Sequence, residues 1–422
     1  MDVSPSAEAE LAREAAQPHA TALPAPGRRD AATIARYATL VVFATHAILV
    51  ASWTAHIPLV KSSLGLSDAS LGLALLGAPL GSIIAMLATS ALLPRVGSKR
   101  MVQVCLVGYC ATGWLVGLVG SGTELFLALA LWGVFMASLD VSMNGQAVFV
   151  ERALGRPIMS SFHGVWSVGA FIGVGIGALA VGAGVSLAAQ LAVLGVAGLV
   201  VAGSATRRML PDPPHDPATD PEPRAWTAWR NRSVLLLGAI VLAGMLSEGA
   251  VADWSAVYLH ESLGTTVSYA ALGYAAFALT MVVGRLTGDR LLARFAPRTL
   301  LPILAAIATV GMGAALLIGE PAMTLVGFAT LGIGIALVIP AAFTAAGRVP
   351  GVHPGAAVAV VSSVGWLGFI AGPPLIGHLS EAVTLPVALA LLPILTGVIA
   401  VSVRASRVFV PAAASAVASV EG

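Results

Sequence analysis

The chain has 422 residues, of which 58% are hydrophobic and 10% charged, with a mean hydropathy of +0.92 and a net charge of +2. A soluble domain carries roughly 25% charged residues, so this chain has too little polar side chain to cover a globule in water, and a soluble protein is excluded. Its apolar runs are continuous over about 20 residues, the length that crosses a bilayer as helix, and lack the alternation of a transmembrane β-barrel. Lipid gives no partner to free backbone groups, so an all-α membrane protein is expected.

In chain order, residues 1–32 hold no apolar run and read as a disordered cytoplasmic tail without a cleavable signal peptide. Twelve apolar runs follow, near 33–57, 68–93, 100–119, 124–149, 158–182, 186–205, 233–259, 267–292, 299–318, 322–346, 356–380 and 385–404. They predict twelve transmembrane helices in two six-helix halves, 33–206 and 233–406, joined by an Asp/Pro-rich cytoplasmic linker at 207–232 and closed by a cytoplasmic tail at 407–422.

Charge fixes the expected orientation. With the N-terminus inside, twenty-one of the twenty-two basic residues fall in the tails, the linker or inner helix ends, and only Lys61 falls outside. That places a multi-pass chain in the inner or plasma membrane with both termini cytoplasmic. The basic residues are thereby accounted for by topology, and no nucleic-acid partner is expected. Cys105 and Cys110 share one apolar run, which suits neither a disulfide framework nor a metal cluster. No metal or cofactor is expected, and the protein is expected to be a monomer.

Ionisable groups inside a bilayer cost about 2.5 to 3.5 kcal/mol each even on a lenient scale, so each needs a partner or a cavity. In the first helix His46 lies at mid-depth, with Trp53 on its face. In the fourth, Asp140 is one turn from Asn144, a carboxylate and amide suited to sugar hydroxyls or to a proton; the bland reading is a carboxylate hydrogen-bonded within its own half. His163 and Trp166 share an arc of the fifth helix. In the seventh, Glu248 sits at mid-depth with Ser255 and Tyr258 on its side and Trp254 at the edge, whereas Asp253 points about 140° away, toward helix packing or an outer gate. Tryptophan faces suit the apolar side of a sugar, but Trp53 and Trp254 equally fit an interfacial aromatic belt. Glycines of the fifth and eleventh helices read as packing residues.

The stretch Pro94-Arg95-Val96-Gly97-Ser98-Lys99-Arg100, read as the turn after helix two, and Gly284-Arg285-Leu286-Thr287-Gly288-Asp289-Arg290, read as the turn after helix eight, occupy equivalent places in the halves. Together with Leu139-Asp140-Val141-Ser142-Met143-Asn144, Ser160-Ser161-Phe162-His163-Gly164 and Glu248-Gly249-Ala250-Val251-Ala252-Asp253-Trp254, they make the chain from about residue 33 resemble the major facilitator superfamily, and within it bacterial proteins related to fucose permease. The resemblance implies that the loop-signature residues Arg95, Gly97, Arg100, Gly284, Gly288, Asp289 and Arg290 stabilise one gate conformation. Pro94 stands where the family's Asp would be in the first copy. The resemblance also matches Asp140 and Asn144 to an acid followed four residues later by Asn, and His163 to a cavity-lining position. A first-helix carboxylate of those relatives is unmatched, with Thr54 in its place.

No metalloprotease, serine-hydrolase, diphosphate or phosphate-loop motif is present in the sequence, so an enzyme is not expected. The leading expectation is a secondary transporter working by alternating access. It would move a small polar solute, a sugar among the candidates, by proton symport. Asp140 and Glu248 would couple protons, and Asn144, His163, Trp166, Trp53, His46, Trp254 and Tyr258 would bind the solute. The alternatives are a proton-coupled exporter of drugs or metabolites, and a membrane sensor that binds solute without moving it.

Overall fold

The computed structural model describes residues 26–155, 158–211, 228–352, 354–406 and 408–409. Residues 1–25 of the expected tail at 1–32, 407 and 410–422 of the tail at 407–422, and 212–227 of the linker at 207–232 lie outside the described residues. The described residues form twelve long helices, several of them in two segments. Helix α1 spans Pro26–Ser52 and continues through a tighter turn, Thr54–His56, into Ile57–Ser63; α2 comprises Asp68–Leu75 and Gly77–Val96. Helix α3 is Ser98–Thr112 with a closing turn at Gly113–Gly117, α4 is Gly122–Leu154, α5 is Met159–Gly182 and α6 is Leu187–Thr206. In the second half α7 is Arg232–Val257 with a wide turn at Tyr258–Ser262, α8 comprises Val267–Ala270 and Leu272–Arg294, and α9 is Pro297–Ile318. Helix α10 comprises Pro321–Ile335 and Val338–Ala346, α11 is Pro354–Ala382, and α12 comprises Leu385–Leu389 and Leu391–Ala405. Eleven of these are long and apolar enough to cross a membrane; α3, which opens on Lys99 and Arg100, is the exception.

Two boundaries differ from expectation. Helix α1 begins at Pro26, inside the expected tail, because Pro is compatible with a first helical position and the alanines at 31, 32 and 35 carry the helix onward. The Gly284–Arg290 stretch is not a turn: α8 runs through it to Arg294. Its glycines serve close packing, since a Cβ at Gly284 would lie 2.5 Å from Ala336 Cβ and one at Gly288 2.4 Å from Leu337. In the first copy Gly97 does break the chain, with φ of 86°, a conformation open mainly to glycine.

The duplication is written in the packing. Within the first half α1 packs on α5, α2 on α4, α3 on α4 and α6, and α1 on α4 and α6. Each pair recurs six helices later: α7 on α11, α8 on α10, α9 on α10 and α12, and α7 on α10 and α12. The halves meet through α2 with α11 and α5 with α8, a pairing that the same six-helix shift maps onto itself. The start of the linker is tied to the first half, where Lys99 Nζ donates to the carbonyls of Arg207 and Met209 at 2.9 and 2.8 Å, and Gln146 Nε2 to that of Leu210 at 3.0 Å.

Small residues bring the backbones together along these seams. On α5, Gly169, Gly173 and Gly177 face the α1 backbone at Ala44, Ile48 and Ser52. A Cβ at Gly173 would lie 2.5 Å from the Ile48 carbonyl oxygen, whereas one at Gly175 would meet nothing within 4 Å. Gly173→Ala is therefore expected to destabilise the protein by about 1–3 kcal/mol through overpacking, and Gly175→Ala to leave it unchanged. Thermal melting of the two purified variants checks this, and equal melting temperatures would contradict the seam.

Candidate functional site

The bundle has two ends: a tail face, where α1 begins, and a far face, where α1 ends and α2 begins. Most polar side chains singled out by sequence lie between these ends, but they separate into three groups.

The first is a closed stack in the N-terminal half. His46 Nδ1 accepts from Trp166 Nε1 at 3.0 Å, which leaves Nε2 to carry the proton and donate to the Met136 carbonyl at 3.2 Å. The imidazole stacks on Tyr109 with centroids 5.1 Å apart, and Tyr109 on Trp132 at 5.5 Å. The Tyr109 hydroxyl donates to the His46 carbonyl at 3.0 Å, and Trp132 Nε1 to the Tyr109 carbonyl at 3.1 Å. Both ring nitrogens of His46 and the Trp166 indole N–H are thus engaged in joining α1, α4 and α5. This is the arrangement of a satisfied packing histidine.

The second group comprises Asp140 with Asn144 on α4 and a set of side chains shared among α5, α7 and α8. Asp140 is half-buried on α4, and its recorded side-chain partner is Asn144, whose Nδ2 donates to the Asp140 carbonyl at 2.9 Å and to Oδ1 at 3.3 Å. None of the three ion pairs among the described residues involves Asp140. Across the bundle Glu248 on α7 pairs with Arg285 on α8 at 3.5 Å. His163 of α5 lies within electrostatic reach of Arg285, and Tyr274 of α8 within reach of Glu248, Arg285 and Asp253. Tyr274 also packs beside Trp166 against an α1–α5 cluster of Ala47, Ala51, Ala170 and Val174. The structure thus pairs Glu248 with Arg285, sets His163 within reach of Arg285 toward the tail face and Asp253 within reach of Tyr274 deeper in the bundle, and so adds Arg285 and Tyr274, which sequence reasoning had not selected. The apolar run expected near 267–292 contains Arg285 and was the signal available for it.

The third group closes the far face. The Lys61 ammonium sits between Asp68 at 2.6 Å and Glu261, while the Ser380 hydroxyl donates to Asp68. Lys61 is 8% exposed. Four helices, α1, α2, α7 and α11, meet here, two from each half. Around this clamp the α2 and α11 backbones touch: a Cβ at Gly72 or Gly377 would lie 2.4 Å from the carbonyl of Pro373 or Asp68. Toward the tail face, by contrast, His163 and Leu286 are exposed. Lys61, the one exception to the charge sorting, joins the halves on that side together with the Ser380–Asp68 hydrogen bond.

Trp53, Trp254 and Tyr258 are buried near the far face. The aromatic-belt reading is corrected for Trp53 and Trp254, since neither reaches the perimeter. The indole N–H of Trp254 has no partner among the described residues. Of the loop-signature residues, Arg95, Arg100 and Arg290 are exposed at the tail face and take part in none of the described ion pairs, and the Asp289 side chain lies outside the described residues. Among the described residues no group of three or more His, Cys, Asp or Glu could hold a metal ion.

Comparison with known proteins adds independent findings. The sequence profile of the Major Facilitator Superfamily matches residues 38–352 and 255–419. An uncharacterised MFS-type transporter of Yersinia pestis is 33% identical over 369 residues, covering 87% of this chain and 94% of the relative. The uncharacterised transporter y4wD of Sinorhizobium fredii is 34% identical over 81% of this chain and 90% of its own length. Membrane protein MosC of Rhizobium meliloti is 31% identical over 81% of this chain and 83% of its own. Among solved structures, the nucleoside transporter NupG superposes with a TM-score of 0.70 at 14% identity, over 87% of this chain and 98% of that one. A bacterial homolog of the human lysosomal transporter Spinster, inward-facing and occupied, superposes with a TM-score of 0.66 at 16% identity, over 87% and 93%.

The clamp makes a specific prediction. Replacing Lys61 with Met leaves Asp68 and Glu261 facing each other without their shared cation, and breaking a buried pair in this way is costly. A cysteine placed at Ala69, buried beside Gly377, is expected to react slowly with an impermeant maleimide in the parent protein. It should react roughly tenfold faster or more in Lys61→Met, as the closed arrangement loses population. Equal labelling rates would show that the clamp does not hold the far face.

Proposed function

Because this chain belongs to the major facilitator superfamily, we propose that it is a secondary active transporter that moves a small polar solute by alternating access and couples that movement to protons. The observation that carries the coupling is Asp140: a carboxylate within the bundle, beside Asn144 and without a cation among the described ion pairs. Such a group is stabilised by taking up a proton, and it gives the proton back when its surroundings open to water.

Glu248 takes a different role from Asp140. Paired with Arg285, it is the group a solute or a conformational change must separate from its cation before it can accept a proton. Asn144, His163, Tyr274 and Arg285 offer the donors and acceptors that a hydroxylated solute requires. The resemblance to fucose permease-related proteins supports a solute of sugar size. His46 and Trp166 contribute by holding α1, α4 and α5 together, and Trp53, Trp254 and Tyr258 by packing under the far face. The distribution of Lys and Arg supports an inner- or plasma-membrane location with both termini and the linker in the cytoplasm. The exposed tail-side residues then face the cytoplasm.

A bound solute stabilises a fold by mass action, so a thermal-shift screen of sugars and nucleosides against purified protein identifies a probe. In proteoliposomes that probe is expected to accumulate when the outside is made more acidic than the inside, and to equilibrate without accumulating at equal pH. Asp140→Asn should abolish accumulation while keeping solute exchange at equal pH. Undiminished accumulation by Asp140→Asn would overturn the coupling role, and proton-driven expulsion of the probe would make the chain an exporter.

A further inference from the structure

A cavity of about 480 Å³ opens at the tail face between the first turn of α9 and the last turn of α12, lined by Arg298, Thr299, Pro302, Ile303, Arg404 and Phe409 among others. It is separate from the space between the halves, because α9 and α12 pack on helices of their own half. Arg298 Nε donates to the Arg404 carbonyl at 3.1 Å, which holds one guanidinium beside the other residue's backbone. None of the described ion pairs includes either arginine. Two cations therefore share one cavity without a carboxylate from the described residues.

The walls complete an amphipathic site. Pro302 has no N–H, so the Arg298 carbonyl loses its helical donor and stays open to a hydroxyl. Away from the tail face, Ile303, Ile307 and Val310 on α9 and Ile394, Val398 and Val401 on α12 are exposed. Each set is spaced i, i+4, i+7, one stripe per helix. Both stripes lie on the perimeter of the bundle, where acyl chains run. A cationic cavity at the end of an apolar track fits a ligand with a phosphate head and a hydrocarbon tail.

We propose that this cavity is a headgroup site for an anionic glycerophospholipid, with phosphatidylglycerol, whose head carries both a phosphate and hydroxyls, as the matching chemistry. Arg298 and Arg404 bind the phosphodiester. The Arg298 carbonyl and the Thr299 hydroxyl serve the glycerol, and the acyl chains follow the α9 and α12 stripes.

Native mass spectrometry of the full chain in detergent tests the site, using phosphatidylglycerol and phosphatidylcholine of identical acyl chains. The wild type is expected to retain one phosphatidylglycerol in preference to phosphatidylcholine. The R298Q/R404Q double variant should bind it about thirty-fold more weakly, the factor expected of two cations at an anionic leaflet, and R404Q alone about five-fold more weakly. R404Q changes only an exposed side chain, so it tests the site even if the double variant folds poorly. R348Q, an exposed arginine elsewhere on the chain, should behave as the wild type. Equal retention of the two lipids, unchanged retention in R404Q, or an equal loss in R348Q would overturn the site. Displacement of the lipid by inorganic phosphate at matched concentration would show a free-anion site and overturn the lipid assignment.

Discussion

The Lys61 ammonium, held between Asp68 of its own half and Glu261 of the other, is the interaction on which the arrangement of this transporter depends. A buried charge loses hydration, and that loss is offset only where the geometry supplies more than one partner. Here one cation serves two carboxylates, and Ser380 supplies a hydroxyl to Asp68. The clamp also depends on its surroundings. The α2 and α11 backbones approach closely enough only because Gly72 and Gly377 carry no side chain. Glycine packing, clamp and closed far face form one unit. At the opposite end His163 and Leu286 are exposed.

Between these ends the two halves divide the polar work unequally. The N-terminal half spends His46, Tyr109, Trp132 and Trp166 on a stack in which each ring nitrogen, indole N–H and phenol finds a partner. What it leaves available is Asp140 with Asn144. The C-terminal half presents an ion pair, Glu248 with Arg285 at 3.5 Å. One half thus holds a carboxylate that enters none of the described ion pairs, and the other a carboxylate paired with a cation.

The sequence made the helices, their number and the duplication legible because bilayer thickness and backbone satisfaction leave few alternatives. It also isolated Lys61 as the one basic residue on the wrong side. Its purpose was not legible, because the partner Glu261 is 200 residues away and only the packing of α1 against α7 brings them together. Arg285 was misread for a local reason. Its Gly-x-x-x-Gly-Asp-Arg surroundings look like a loop, and only the approach of α10 to Gly284 and Gly288 explains those glycines within a helix. Trp53 and Trp254 show a similar limit. Depth along a helix is readable from sequence, but the direction a ring faces is fixed by neighbours distant in the chain.

The claim that the clamp joins the halves is tested most directly by a distance across the far face. Spin labels at Leu73 on α2 and Val383 beyond α11, both exposed, report the separation of the halves by pulsed electron resonance in lipid nanodiscs. Intact protein should show a dominant short-distance population. Glu261→Gln, which leaves Lys61 and Asp68 together within one half, should add a longer one. An unchanged distance distribution in that variant would contradict the clamp as the element that closes the transporter on this side.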